Sequence, residues 1–426
     1  MGIIKIIKRL SGSYGNLPRS IYILFIVRII NAMGNFIYPF LTFFLTQKIG
    51  LSPSRAADFF VLASVMSMIG SLIGGKLADG YGRKKLMLGF QGAAAVLYFS
   101  CAFLGNSIAI PFILSTASLF NGAAQPANSA MVTDLTNRSN RKQAMSLLYL
   151  GINLGFAVGP KIAGELYNYN SQLIFYGNAI AILLSIVLVG LLVKETAPTE
   201  EEIESSKDHS DEEAAESGSV FEALLKRPTL LLFLVGRVLN QLVYATIGFA
   251  IPLQMTATFG ALAGPSNYGS LMAFTGVVVI TCTIPTIMVT GKNRAVINMS
   301  LAGLFYGVGF GMLGFIQNYW LFLLAGLIFT LGEILEVTNA GIYVANHSPI
   351  NHRGRFNAII PLITGIGAMF GPKLFGVYIE AYGLTSLWVL CFVLAMISSG
   401  FMLWLRVFED KWYSKKYSGT SSGVEL

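Results

Sequence analysis

Two carboxylates lie three residues apart within a long apolar segment in the last quarter of the chain. Glu333 and Glu336 occur in the run LGEILEVTNAG, and a helix would place them on one face. Like charges in a low-dielectric medium repel each other, which favours protonation of at least one carboxyl. The pair is therefore our candidate for reversible proton binding, and a hydrogen-bonded pair with a structural role is the alternative.

Two arginines also lie well inside apolar segments. Arg28 opens the run RIIN and Arg237 opens RVLN, so an amide follows each three residues later, at Asn31 and Asn240. A charge at membrane depth costs roughly 2.5–3.5 kcal/mol on insertion scales, so each needs a partner or a function. Three roles are open for these arginines: they bind an anionic group, act as counter-ions to Glu333, or fix helix packing.

Further polar side chains in apolar segments complete a candidate substrate cleft. Uncharged hydrogen-bonding groups of this kind suit either ligand contacts or hydrogen bonds between helices. They are Asn35, Tyr38, Asn121, Gln125, Gln241, Tyr244 and Asn339.

The composition explains why buried charge is informative here. The 426 residues are 54% hydrophobic and 12% charged, with a mean hydropathy of +0.65, whereas soluble domains carry roughly 25% charge. This excludes a single soluble enzyme domain and favours a membrane protein. The net charge of +8 would suit either nucleic acid or an anionic membrane face, and the hydropathy favours the membrane face. Three scattered cysteines and three scattered histidines predict neither a disulfide framework nor a metal site.

Twelve apolar stretches are long enough to cross the membrane, because about 20 apolar residues span the hydrocarbon as a helix. They predict an all-α membrane protein with short connections between antiparallel neighbours. The predicted spans are 20–46, 56–78, 86–104, 110–133, 144–167, 172–193, 229–256, 267–290, 295–315, 319–345, 356–380 and 385–408.

A charged interruption separates six spans from six. Residues 195–222 hold 11 of the 21 acidic residues, a composition typical of a solvated linker. We predict an N-terminal six-helix bundle over 1–193, an acidic linker over 194–228 and a C-terminal six-helix bundle over 229–426. Lys and Arg accumulate in alternate loops, which predicts that both termini and the linker are cytoplasmic.

The two halves share a segment rich in glycine. GFAVGPKIAG at 155–164 aligns without a gap with GAMFGPKLFG at 367–376. Six spans per half give both copies the same orientation, the plan of transporters whose halves rock around a central site. Glycines four apart allow close helix contact, and the proline bends the helix. The matched residues are Gly155, Gly159, Pro160 and Gly164 with Gly367, Gly371, Pro372 and Gly376.

The loop between the second and third predicted spans reads GGKLADGYGRKK over residues 74–85. It resembles the G-x-x-x-D-x-x-G-R-[KR]-[KR] loop of the major facilitator superfamily. The resemblance implies a gating loop that holds the two halves together in the outward-open state and releases when the cytoplasmic side opens. The residues concerned are Gly75, Asp79, Gly82, Arg83 and Lys84.

Two further segments resemble the drug:proton antiporters of that superfamily. They are the Gly-Pro motif of the fifth span and the Gly-Glu pair at 332–333 of the tenth. The resemblance implies twelve helices in two parallel-repeat bundles, alternating access, and protons as the coupling ion. One element is missing, because Ser118 stands four residues before Gly122 where those antiporters usually have an arginine.

These features together predict a secondary transporter rather than an enzyme. We expect it to export a small amphipathic molecule in exchange for protons, as a monomer in a bacterial plasma membrane. A Walker A sequence is missing, so we expect neither ATP nor another cofactor. A lipid or glycoconjugate flippase and a metabolite uniporter or symporter are open alternatives of the same fold. A membrane-embedded enzyme or a non-transporting sensor is the alternative from another class.

Overall fold

The computed structural model describes residues 17–137, 140–197, 227–347 and 353–417, and almost all of them are helical. The N-terminal residues before 17 and most of the acidic linker lie outside the described residues. An all-helical backbone is what the composition requires, because backbone N–H and C=O groups in hydrocarbon must be bonded within their own segment.

The helices of the first half follow the predicted spans closely. They are α1 (Arg19–Met33), α2 (Ile37–Phe43, continued by a π-helical turn at Phe44–Lys48), α3 (Pro53–Tyr81), α4 (Arg83–Cys101), α5 (Ala109–Asp134), α6 (Arg141–Phe156), α7 (Gly159–Tyr169) and α8 (Leu173–Leu192).

The second half has fewer and longer helices. They are α9 (Pro228–Tyr244), α10 (Thr246–Thr290), α11 (Ala295–Gly311, followed by a 3₁₀ turn at Met312–Gly314), α12 (Tyr319–His347), α13 (Arg353–Tyr382) and α14 (Leu384–Tyr417).

The proline of the repeated motif acts differently in the two halves. In the first half it separates α6 from α7, which begins at Gly159 and Pro160. Proline lacks an N–H, and its ring clashes with the carbonyl four residues earlier, here that of Phe156, the last residue of α6. In the second half, α13 runs without interruption through Pro372.

The seventh and eighth spans have boundaries that differ from the prediction. α9 ends at Tyr244, inside the predicted span 229–256, and α10 begins two residues later. The loop predicted at 257–266 is helical apart from Gly260, whose backbone has φ 80° and ψ 173°. Glycine permits this conformation because it has no Cβ. α10 therefore consists of two helical segments that meet at Gly260, inside the predicted connection between the seventh and eighth spans.

The described helices include eight stretches that are long and apolar enough to cross a membrane. One of them, Pro228–Thr290, contains 63 residues and covers two of the predicted spans. The protein is thus an all-α membrane protein, and the number of twelve spans stays a prediction.

The chain forms two compact units. The first comprises Met1–His209 and Gly248–Ile280, and the second comprises Ser210–Ile247 and Thr281–Leu426. Most of α10 therefore packs with the first unit, where Thr42 Oγ1 donates a hydrogen bond to the carbonyl of Gly248. The boundaries at 193 and 229 were placed from charge alone and stay a prediction.

The same helix pairings occur within both halves. In the first, α1 packs against α6 and α8, and α4 packs against α5 and α8. In the second, α9 packs against α13 and α14, and α11 packs against α12 and α14. Numbered as spans, the contacts 1–5, 1–6, 3–4 and 3–6 recur as 7–11, 7–12, 9–10 and 9–12. The repeat read in the sequence is therefore also a repeat of packing.

The matched glycines of the repeat also make matched backbone contacts. A Cβ added to Gly155 would lie 2.6 Å from the carbonyl oxygen of Ile29, and one added to Gly367 would lie 2.5 Å from that of Val238. Ile29 and Val238 are themselves equivalent, because each directly follows the repeated arginine. Only a residue without a side chain allows helices to approach this closely.

The second pair of repeated glycines extends this contact by one turn. A Cβ on Gly159 would meet the carbonyl oxygen of Met33, and one on Gly371 would lie 3.3 Å from that of Leu242. The repeated motif therefore sets the distance between α1 and the α6–α7 segment, and between α9 and α13.

We predict that Gly367→Ala destabilises the protein whereas Gly365→Ala does not. The new methyl group at 367 would overlap the backbone of α9, and overpacking of this kind costs about 1–3 kcal/mol. The matched position 365 has nothing within 4 Å of an added Cβ. Thermal unfolding of the two purified variants in detergent checks this, and equal midpoints would contradict it.

Candidate functional site

Glu336 is a buried carboxylate that ties α12 to α9. Its side chain is only 2% exposed, and its Oε1 accepts a hydrogen bond of 2.7 Å from Nε2 of Gln241. Nε of Arg237 lies 3.5 Å from the same oxygen, close enough for an ion pair. The second oxygen, Oε2, has no hydrogen-bond partner among the described residues. The hydroxyl of Tyr306 also interacts with this carboxyl, so a proton bound at Oε2 would lie among polar side chains.

Glu333 lies one helical turn before Glu336 and is partly exposed. The phenol of Tyr244 hydrogen-bonds to its carboxyl. Tyr306 of α11 lies beside both carboxyls, with its ring centroid 6.0 Å from that of Tyr244. The site is thus built from three helices of the second unit, α9, α11 and α12.

The pairing of charges differs from one of the roles considered above. Arg237 is the counter-ion of Glu336 rather than of Glu333. The reason is helical register. Arg237, Gln241 and Tyr244 follow one another on α9 at spacings of four and three residues. The first two contact Glu336, and Tyr244 contacts Glu333. A paired charge is far cheaper to bury than an isolated one.

Arg28, the counterpart of Arg237 in the first half, has a different environment. It is partly buried, and no acidic side chain lies within ion-pair distance of it among the described residues. The sequence repeat therefore preserves the residue but not its partner.

The amides that follow the two arginines also differ. Asn31 accepts a hydrogen bond of 2.9 Å from Ser185 of α8. Asn240 is fully buried, and neither its amide nitrogen nor its amide oxygen has a hydrogen-bond partner among the described residues. The serine on α14, Ser398, donates instead to the carbonyl of Gly236.

Two other candidate cleft residues bind neighbouring helices within their own bundle. Asn121 donates to the hydroxyl of Tyr98 over 2.6 Å, linking α5 to α4. Asn339 accepts from Asn298 over 2.9 Å, linking α12 to α11. These hydrogen bonds support the reading of such amides as contacts between helices.

The remaining candidate cleft residues, Asn35, Gln125 and Tyr38, belong to the first unit. Asn35 is partly buried, while Gln125 and Tyr38 are exposed. The ring of Tyr38 stands edge-on to Phe60 at 6.1 Å between centroids. Within the second unit, the structure brings together candidates from α9 and α12.

The gating loop turns at a glycine. Gly82 has φ 91°, a conformation that side chains with a Cβ rarely adopt, and it separates α3 from α4. Arg83 pairs with Asp134 at the end of α5 over 3.5 Å, and Lys84 Nζ donates to the carbonyl of Gly190 over 2.7 Å. A Cβ on Gly75 would have open space apart from an ordinary contact with Pro126. The side chain of Asp79 lies outside the described residues.

Glu195, the first acid of the predicted linker, is part of this loop and was not singled out from the sequence. Its carboxylate accepts hydrogen bonds from the backbone N–H groups of Lys84, at 3.0 Å, and Lys85, at 3.4 Å. It therefore caps the N-terminus of α4, where the helix dipole favours a negative charge. Partial burial opposes ionisation of Glu195, but the backbone donors outweigh it and lower the pKa.

Comparison with known proteins agrees with the helix repeat and the gating loop. The family profile of the Major Facilitator Superfamily matches residues 24–296 and 233–425. The chain belongs to the Major Facilitator Superfamily. It is therefore a membrane transport protein, as the gating loop and the repeat predicted.

Several curated members of the superfamily are similar over most of their length. A Na(+), Li(+), K(+)/H(+) antiporter of Planococcus maritimus is 21% identical, over 88% of this chain and 92% of that protein. The uncharacterized transporter YttB of Bacillus subtilis is 28% identical, over 90% of this chain and 94% of that protein. A class H tetracycline resistance protein of Pasteurella multocida is 24% identical, over 87% of this chain and 92% of that protein.

The fold is also that of solved superfamily structures. A POT family transporter crystallised with 5-aminolevulinic acid has a TM-score of 0.74, covering 92% of this chain and 96% of its own. The sequences are 15% identical, so this likeness shows the fold alone.

We predict that Glu195→Gln lowers stability near neutral pH by weakening the cap of α4. Loss of an N-cap side chain typically costs about 0.5–2 kcal/mol. Because the folded state lowers the pKa of Glu195, its contribution is present above the unfolded value of about 4.3 and is lost as the pH falls through the folded value. The difference between wild type and variant should therefore vanish in acid.

Thermal unfolding between neutral and acidic pH checks this prediction. Glu200→Gln is the matched control, since it removes the same charge from the same acidic stretch. An equal loss of stability in the two variants would show that net charge, rather than capping, is responsible.

Proposed function

We propose that the protein exports small amphipathic molecules in exchange for protons, with Glu336 as the coupling carboxyl and Glu333 beside it. The observation that carries the proposal is the environment of Glu336. This buried carboxyl has one oxygen in a hydrogen bond and the other without a hydrogen-bond partner among the described residues. Intramembrane carboxyls facing a bundle interior are the usual groups of proton relays.

Protonation of Glu336 would change the tie between α9 and α12. The ionised carboxyl attracts Arg237 at 3.5 Å, and the protonated carboxyl loses that attraction. Arg237 then becomes a buried charge without its counter-ion, which favours movement of the side chain or a new partner. A proton can shift a conformational equilibrium only through such a difference between states.

Two of the similar proteins support this kind of exchange. The Planococcus relative is named as a cation/H(+) antiporter, and the Pasteurella relative is named as a tetracycline resistance protein. Each elementary charge that crosses 100 mV supplies about 2.3 kcal/mol, which suffices for concentrative export. We place the protein in the plasma membrane with both termini cytoplasmic, because the basic loops predict that orientation.

We predict that Glu336→Gln abolishes proton-driven transport. In proteoliposomes with an imposed pH gradient, ethidium export should fall at least about tenfold, the effect of losing roughly 1.4 kcal/mol of coupling. Glu380→Gln is the matched control, because Glu380 is an exposed acid on α13. Gradient-driven export that survives Glu336→Gln would refute the coupling role.

A second candidate function rests on Arg28. A partly buried arginine without an acidic partner among the described residues suits an anionic group on a substrate. The protein would then carry an organic anion, as a uniporter, a symporter or a flippase for an anionic lipid.

Labelled benzoate separates the two functions. If the second function holds, wild-type proteoliposomes take up benzoate and Arg28→Ala abolishes the uptake, while the matched variant Arg55→Ala does not. If export of ethidium is the function, benzoate is not accumulated and Arg28→Ala leaves gradient-driven ethidium export in place.

A further inference from the structure

A second cluster of titratable side chains lies at the C-terminal end of α12, beyond Glu336. Glu409 of α14 is buried, 7% exposed, and it accepts a hydrogen bond from the hydroxyl of Tyr343. Nε2 of His347 lies 3.6 Å from the same carboxyl oxygen. Neither the gating loop nor the proposed coupling site uses these residues.

The cluster is held rigidly by stacking and by one arginine. The rings of Phe233 and Tyr343 stack at 3.8 Å between centroids, and those of Tyr343 and His347 at 4.0 Å. Arg227 donates to the backbone carbonyl of His347 over 2.6 Å, which satisfies a carbonyl at the end of α12. The imidazole therefore has a fixed orientation.

That orientation settles which nitrogen of His347 can gain a proton. Nδ1 lies 2.8 Å from the backbone carbonyl oxygen of Tyr343, which can only accept a hydrogen bond, so Nδ1 carries the hydrogen. Nε2 is then the basic atom of the neutral ring, and it faces Glu409. A proton bound here is shared between an imidazole nitrogen and a carboxylate oxygen.

The hydroxyl of Tyr343 can serve both protonation states of Glu409. It has two acceptors, the carboxylate of Glu409 and the backbone carbonyl of Thr229 at 3.3 Å. When Glu409 is ionised, the hydroxyl donates to it. When Glu409 is protonated, the hydroxyl can accept from Glu409 and donate to Thr229. Neither state leaves a buried polar group without a partner, so neither incurs that penalty.

The charges around the pair are fixed ones. Arg227 precedes α9, Arg294 precedes α11, and Asp410 follows Glu409 on α14. Asp410 binds Arg294 at 2.5 Å and raises the pKa of the Arg294 guanidinium, which also interacts with Glu409. Among the described residues of this cluster, His347 and Glu409 are the imidazole and the carboxyl that face each other and can share a proton.

We propose that His347 and Glu409 form a second proton-binding site, which takes a proton from the water at this end of the second unit. Its part in transport rests on the proposed function. Glu336, Tyr343 and His347 share one face of α12 at spacings of seven and four, and the first and last are about 16 Å apart along the helix. Ala340 and Phe233 separate the two sites with apolar surface. Such an apolar gap keeps a proton bound at one site from passing directly to the other.

Histidine NMR of the full-length protein in detergent tests the site directly. The chain has three histidines, so His347→Gln assigns the resonance and His209 and His352 serve as internal controls. We expect the His347 resonance to shift when the pH is lowered, as a proton binds at Nε2 opposite Glu409. In Glu409→Gln this shift should require a lower pH, because the carboxylate that favours the imidazolium is gone.

A His347 resonance that does not titrate, or a midpoint that Glu409→Gln leaves unchanged, would overturn the proposal. If Glu409→Gln does not fold, Tyr343→Phe keeps the ring stack and removes the hydroxyl donor. The pair should then hold its proton more tightly and its midpoint should rise, and no rise would again contradict the site. This titration needs neither substrate nor gradient, so it is independent of the outcome for Glu336→Gln.

Discussion

The cost of a charge in hydrocarbon is the constraint on which the polar part of this structure depends. An uncompensated charge at membrane depth is expensive, so a buried acid persists only with a partner. Glu336 satisfies this by its contacts with Arg237 and Gln241, both from α9. The same requirement fixes the register of α9 against α12, because these contacts form only when the side chains lie at one depth.

Close backbone contact is the second constraint, and it operates within each half. Hydrocarbon provides no hydrophobic force between helices, so association relies on packing and on interhelical hydrogen bonds. Gly155 of α6, packed against α1, and Gly367 of α13, packed against α9, allow the close packing, while pairs such as Asn298 with Asn339 supply the hydrogen bonds. The charged site is thus placed on a scaffold whose spacing is set by residues that carry no charge.

The sequence predicted the features that leave a local or periodic signal. The length of the apolar stretches predicted the helices, and the gap-free repeat predicted close helix contacts at the matched glycines. Hydrogen-bond partners were harder to predict. Glu195 caps α4 through the N–H groups of two residues that lie 111 and 110 positions away, and Glu409 binds a tyrosine 66 positions away. Hydrogen bonds between distant segments produce no spacing pattern in a single sequence. The connection predicted at 257–266 is shorter than expected, because Gly260 with its positive φ joins one helical segment to the next without a longer loop.

The repeat also has a consequence for the electrical balance of transport. At the offset of 212 residues that aligns the Gly-Pro motifs, Glu333 corresponds to Asn121, so an amide occupies in one half the position that an acid occupies in the other. The first half contributes a constant charge, Arg28, and the second contributes charges whose sum depends on bound protons. With both carboxyls ionised, the four groups Arg28, Arg237, Glu333 and Glu336 are neutral together, and each proton adds one positive charge. If these carboxyls carry the coupling protons, as proposed, the number of protons bound affects how much net charge a transport cycle moves across the membrane.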